Sequence, residues 1–274
     1  MNEKQYPTRF CPYCTTPITS PTKYCEICGA EITWSIKEIQ APLWPWTPIS
    51  TYIITSITYG VFLLLTIAIM FYYIFFWGIP LFAITIIAFD PAFMILLILT
   101  ELVFILIPWA YVTSLKVKPE KLGVTTGGGL TLAKDLLLGV VVGAVIVPVI
   151  LALDLFELLA PGGPPPSIPT PTDLFWVGVL CLSVILVIAP AEEFFFRGFI
   201  QNSLDVHYGR IGGLIVSSII FGFAHMNPLI GVIHTIGGIF LGLLYLWRGR
   251  RLAGPIAAHA TYDCLIILLD AFFL

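Results

Sequence analysis

Long apolar runs govern what this chain can become. They cover about Ile49–Trp77, Ile79–Thr113, Leu130–Leu153, Phe175–Phe196, Ile211–Phe223, Ile230–Trp247 and Pro255–Leu274. About 20 apolar residues in a helix cross the hydrocarbon core of a bilayer, so most of these runs read as membrane spans. Composition agrees, since the chain is 58% hydrophobic and only 11% charged, whereas soluble domains carry about 25% charged residues. The expected fold is an all-α polytopic membrane helical bundle of about seven spans. The net charge of −3 comes with no basic stripe, so nucleic acid is not an expected partner. Residues Met1 to Thr33 hold no apolar h-region, so no cleaved signal peptide is expected.

The run Ile79–Thr113 is too long for one span and short for two, and charge decides. If it forms one span with a kinked or interfacial start at Asp90-Pro91, every Lys and Arg falls on one side of the membrane. The opposite side then holds the loop from Asp154 to Asp173, rich in proline and acidic residues and without a base. The positive-inside rule places the basic side, and with it the N-terminus, in the cytosol. Gly238 and Gly242 form a small-xxx-small pair, which indicates helix packing.

Ahead of the spans, Cys11-Pro-Tyr-Cys14 and Cys25-Glu-Ile-Cys28 form two Cys-x-x-Cys knuckles whose spacing suits four thiolates on one tetrahedral structural zinc. Two disulfides would need an oxidising compartment, which a cytosolic N-terminus excludes. Residues 1–33 therefore read as a zinc ribbon, 34–48 as a linker with interfacial Trp44 and Trp46, and 49–274 as the membrane domain. Cys181 and Cys264 read as small core residues.

Within the membrane, Pro190-Ala191-Glu192-Glu193-Phe194-Phe195-Phe196-Arg197-Gly198 sets three ionisable groups at the end of an apolar run. A charge at membrane depth costs about 2.5–3.5 kcal/mol even on lenient scales, so such groups usually serve a function. On a helix, Glu193 and Arg197 are i, i+4 in the favourable orientation for an ion pair. Glu192 remains over, and a carboxylate in an apolar site suits general-base work. Phe221 and His225 share a helix face, as do His259 and Asp263, and Gly254-Pro255 starts the last span as a helix should. One reading has His259 and Asp263 only tying helices together, but with Glu192 and His225 on two further spans a convergent site is the stronger expectation. His234 has no partner at helical spacing and reads as structural, Asp90 as a helix breaker before Pro91, and Glu101 as an unpaired acid near the cavity. Asp205 and His207 read as solvated loop residues.

Glu192-Glu193-x-x-x-Arg197, Phe221-x-x-x-His225 and His259-x-x-x-Asp263, in that order, resemble the motifs of the CAAX prenyl endopeptidase and bacteriocin-processing family, also called CPBP or Abi intramembrane proteases. The resemblance covers the membrane domain from roughly Lys116 onward and leaves the zinc ribbon as an added module. It implies an intramembrane endopeptidase open to the cytosol, acting on a protein or peptide substrate that can be prenylated. It implies that Glu192 is the general base, that His225 helps hold the attacking water, and that His259 and residue 263 stabilise the oxyanion. Glu193 and Arg197 would shape the site and meet the substrate. Many members have Asn at the last position, whereas Asp263 must hold a proton before it can donate to an oxyanion. The alternative is a metal held by His225, His259, Asp263 and Glu192; the metal-free route is the expectation. A transporter would be expected to show repeats, which the sequence lacks. A non-catalytic scaffold using the ribbon as docking arm would not need Glu192.

Overall fold

The structure is a computed structural model of the chain, and it describes residues 9–10, 17–18, 23–25, 31, 47–78, 91–158, 174–225 and 228–273. Near the N-terminus, strands β1 (Arg9–Phe10) and β2 (Pro17–Ile18) pair antiparallel with Arg9 opposite Ile18, and Tyr24 bridges to Glu31. In sequence, the first pairing encloses Cys11 and Cys14, and the second encloses Cys25 and Cys28. Cys25 is buried. The other three expected ribbon ligands, Cys11, Cys14 and Cys28, lie outside the described residues, as do Trp44, Trp46 and Asp90.

Helix α1 (Pro48–Trp77) starts at a reciprocal cap: the Ser50 backbone N–H donates to Thr47 Oγ1 at 3.2 Å and the Thr47 N–H donates to Ser50 Oγ at 2.9 Å. Pro48 follows at no hydrogen-bonding cost, because the first helical N–H has no partner in any helix. Gly78 ends the helix in a left-handed conformation at φ 64°. Two short helices, α2 (Pro91–Glu101) and α3 (Val103–Ser114), follow each other across Leu102 and together make one candidate span, Ala92–Ser114.

Helix α4 (Gly129–Leu158) leads to a long helical rod made of α5 (Leu174–Ser183), a π-helical turn at Val184–Ile188, α6 (Ala189–Glu193), a longer π-helical stretch at Phe194–Gln201, and α7 (Asn202–Phe223). Helices α8 (Pro228–Trp247) and α9 (Ala253–Phe273) complete the order. Among the described residues, four helical stretches are long and apolar enough to cross a membrane, and shorter apolar helices cover Gly231–Trp247 and Ala253–Leu269. The chain is thus a multi-pass membrane protein. Its outward surface agrees, since Leu64, Phe75, Phe76, Leu137, Leu186 and Phe223 are exposed.

Between lipid-facing helices little hydrophobic drive remains, and close backbone approach takes over. On α4, a Cβ added to Gly139 would overlap the Gly254 carbonyl, and one added to Gly143 would overlap the Ala258 carbonyl, both on α9. On α8, Gly238 lies against Phe221 and Ser218, and Gly242 against Leu214 and Gln201, so the expected small-residue pair does pack helices together. An aromatic cluster fills the centre: Phe104 from α3, Tyr59 from α1, and Phe195, Phe196 and Phe221 from the long rod.

One end of the bundle gathers the arginines. Arg248 and Arg251 donate from Nε to the fully buried Asp135 carboxylate at 2.5 and 2.6 Å. Arg250 Nη2 lies 3.0 Å from Asp205 Oδ2, and its Nη1 donates to Asn202 Oδ1 at 2.9 Å. The expectation of a solvated Asp205 is therefore corrected, because this side chain is buried in an ion pair. The rod stays helical through residues 202–208, breaks only at Gly209 (φ 72°, ψ 165°), and turns Asp205 inward against Gly213. His207 is exposed, as expected.

Candidate active site

Pro190 explains the local shape of the first motif. It lacks an N–H, and its ring crowds the carbonyl four residues back. The widened π turn at Val184–Ile188 lies just ahead of it, and a second π stretch begins at Phe194. Such widened turns occur often at functional sites because they re-aim side chains without ending the helix. Here the two neighbouring glutamates take different surroundings: Glu193 is fully buried, while the Glu192 side chain keeps 15% exposure.

Glu193 meets two partners through one oxygen. Its Oε1 lies 2.8 Å from Arg197 Nη1, an ion pair whose angle falls short of a hydrogen bond, and 2.9 Å from His259 Nδ1. The i, i+4 pairing expected from spacing is present even though the segment is partly π-helical. Arg197 is anchored further by donation from Nη2 to the Gly238 carbonyl at 3.2 Å, and its guanidinium lies over the Phe221 ring at 4.6 Å.

His259 is the hub. With Nδ1 turned to Glu193, its Nε2 faces Asp263 Oδ2 at 3.3 Å and Glu192 Oε2 at 3.8 Å. A bare nitrogen lone pair facing two carboxylate oxygens would be repulsive, so this edge must hold a proton, on Nε2 or on one of the carboxyl groups. The arrangement can therefore hold and move a proton between a partly exposed acid and a buried imidazole.

His225 lies two residues past the end of α7, in the turn after its cap residue Ala224. Its Nδ1 is 3.2 Å from the Phe221 carbonyl, which can only accept, so this hydrogen bond is made with a proton on Nδ1. Its described contacts pair it with His234 and Phe221 and do not join it to Glu192. The His225 and His234 rings stack with centroids 3.5 Å apart and planes 10° from parallel. His234 Nδ1 is in turn hydrogen-bonded with the Tyr262 hydroxyl at 3.2 Å. Phe221 joins the two halves, with its ring edge-on to His225 at 5.4 Å and to His259 at 5.7 Å.

The structure thus gathers Glu192, Glu193, Arg197, His259 and Asp263 into one cluster, with His225 beside them across Phe221. Sequence spacing missed His234 and Tyr262, which meet across two helices. Glu101 also belongs near the cluster: its Oε2 is buried without a hydrogen-bond partner among the described residues, within electrostatic reach of Glu192, His259 and Asp263. Among the described residues, no three or more His, Cys, Asp and Glu side chains are disposed to hold a metal ion.

An apolar cavity of about 440 Å³ adjoins the motif, lined by Ile105, Trp109, Leu132, Pro190, Phe194 and Ile256 among others. Comparison with known proteins adds one finding. The family model described as Rce1-like, type II CAAX prenyl endopeptidase Rce1-like, matches residues 174–265. This is about a third of the chain and a narrower stretch than one starting at Lys116, but it contains Glu192, Glu193, Arg197, His225, His259 and Asp263. No curated protein and no solved structure matches the chain. The match supports the CPBP family and a hydrolase acting on a protein or peptide: the stretch that builds the candidate site is similar to the CAAX prenyl endopeptidases.

Proposed function

We propose that this chain is an intramembrane endopeptidase that hydrolyses a peptide bond near the cytosolic membrane face, with CAAX-type C-terminal processing as its reaction. The observation that carries the reading is the His259 side chain, held at Nδ1 by buried Glu193 and turned at Nε2 toward Asp263 and the partly exposed Glu192.

Glu192 takes a proton from water, with His225 Nε2 accepting a hydrogen bond from that water. The hydroxide forms a bond to the scissile carbonyl carbon, whose electron pair moves to oxygen. The His259 Nε2 proton is offered to that oxyanion, and Asp263 acts through His259 by keeping the proton on the facing nitrogen. An ionised Asp263 therefore need not donate to the oxyanion itself. Glu192 then returns its proton to the leaving amide nitrogen as the C–N bond breaks. Glu193 and Arg197 fix His259 in place and shape the entrance for substrate. The apolar cavity beside Pro190 and Phe194 suits a substrate carrying a hydrocarbon chain.

The N-terminal ribbon is a structural zinc site of Cys11, Cys14, Cys25 and Cys28 on the cytosolic side, separate from the chemistry. The test of the enzymatic reading is release of the C-terminal tripeptide from a farnesylated CAAX peptide by detergent-purified protein, wild type beside Glu192→Gln. We expect release by wild type and a loss of at least about 100-fold in the variant, the usual scale for a general base. Equal release by both would remove Glu192 from the mechanism, and absence of release with prenylated and unprenylated peptides alike would favour the scaffold reading.

A further inference from the structure

His225 stands at a weak point of the fold. It lies beyond the last residue of α7, where its ring meets the Phe221 carbonyl at 3.2 Å and the Phe221 ring edge-on. A ring so placed can rotate about χ1 and lose the orientation of Nε2. Two residues from other helices oppose that rotation. The His234 ring on α8 covers one face of His225 at 3.5 Å with planes 10° from parallel, and Tyr262 on α9 holds His234 by a hydrogen bond at 3.2 Å. Tyr262 is buried, and its ring stacks at 5.9 Å on His259, the neighbour of Glu193, Asp263 and Glu192.

We propose that His234 and Tyr262 are positioning residues for His225, a stacked and hydrogen-bonded backing that ties its ring to the helix bearing His259 and Asp263. This rests on the endopeptidase reading for its consequence but not for its geometry. Neither residue touches the reacting atoms; both act through the orientation of His225. The titratable and charged groups around the pair are His259, Asp263 and Tyr262 from α9 and His225 itself from the end of α7.

The chain has only four histidines, so ¹⁵N-histidine labelling of the full-length protein in detergent gives a spectrum that single variants can assign. The His225 signals are those lost in His225→Gln. In wild type they should show one tautomer, protonated at Nδ1. His234→Ala should convert them to an averaged tautomer pattern, whereas His234→Phe, which keeps a flat ring in the stack, should preserve them. In the tripeptide-release assay, His234→Ala should lower kcat about tenfold with KM within about twofold of wild type. His234→Phe should recover most of that loss. Tyr262→Phe deletes one hydroxyl and leaves the core filled, and should lower kcat about threefold to tenfold, the worth of one hydrogen bond.

Unchanged His225 signals in His234→Ala would overturn the proposal, as would equal kcat in the Ala and Phe variants. If His234→Ala does not fold, Tyr262→Phe decides by the same two readouts. Should wild type release no peptide, the spectra still decide the positioning role, and the silence counts only against the endopeptidase reading.

Discussion

Replacing Arg197 by Met gives the sharpest test of how this site is held. Arg197 is 1% exposed and Glu193 is 0% exposed, with 2.8 Å between their charges. The substitution keeps length and apolar volume but removes three things: the charge facing Glu193, the donor to Gly238 O and the cation over the Phe221 ring. The first dominates, because removing one partner of a buried pair and stranding the other costs about 3–5 kcal/mol. His259 remains as a donor to Glu193 Oε1, so we expect the low end, about 3 kcal/mol, or about 150-fold in the unfolding constant. Detergent-solubilised protein titrated with sodium dodecyl sulfate and followed by tryptophan fluorescence would measure it. The double variant Glu193→Gln with Arg197→Met removes both charges, keeps an acceptor for His259, and should regain most of the lost stability. A single variant within about 1 kcal/mol of wild type would refute the argument, because Glu193 would then not depend on Arg197. A double variant as unstable as the single would refute it too.

At the arginine-rich end, Asp205→Asn removes the carboxylate facing Arg250, which keeps its bond to Asn202, and should cost about 1–3 kcal/mol in the same titration, whereas substitution of exposed His207 by Gln should change it by less than about 0.5 kcal/mol. Gly143→Leu forces a side chain into the Ala258 backbone and should separate α4 from α9, costing about 1–3 kcal/mol or more; normal stability would show that these helices do not touch there. Purified chain should carry one zinc per molecule by elemental analysis, reduced in Cys25→Ala without loss of tripeptide release; metal-free wild-type protein would remove the ribbon reading.

Some of this arrangement is legible in the sequence because it is local. The pairs Glu193–Arg197 and His259–Asp263 lie one helical turn apart, and spacing alone foresees both. A candidate span, Ala92–Ser114, does fall almost wholly within the apolar run Ile79–Thr113. What spacing cannot show is which helix faces which. The contact between His259 and Glu193 joins residues 66 positions apart, and His234 finds Tyr262 at a separation of 28. His234 read as structural because no partner stood at helical spacing, although its partner waited on another helix. Asp205 escapes a sequence reading for a related reason: a polar run between apolar runs resembles a loop, but here it is a helix that buries its acid against Arg250 from the turn after α8.

The neighbouring glutamates show why such a site needs its buried partner as much as its reactive one. Successive residues on a helix point about 100° apart, so only one of the two can face Arg197 a turn later. Glu193 takes that position and fixes Arg197 and His259 through a single oxygen. Glu192 is thereby left without an arginine of its own, which keeps it available to take a proton rather than locked as a counter-ion. Exchanging the two roles is not possible by a side-chain rotation, since Glu192 lies five residues before Arg197 and off its face. A Glu193→Asp substitution should therefore be more damaging than its small size suggests: one methylene less cannot span both 2.8 Å and 2.9 Å contacts, and His259 would lose its orientation while Glu192 stayed intact. In the release assay this predicts a kcat loss of about 10-fold to 100-fold with little change in KM, and wild-type kcat in that variant would show that His259 is oriented by something other than Glu193.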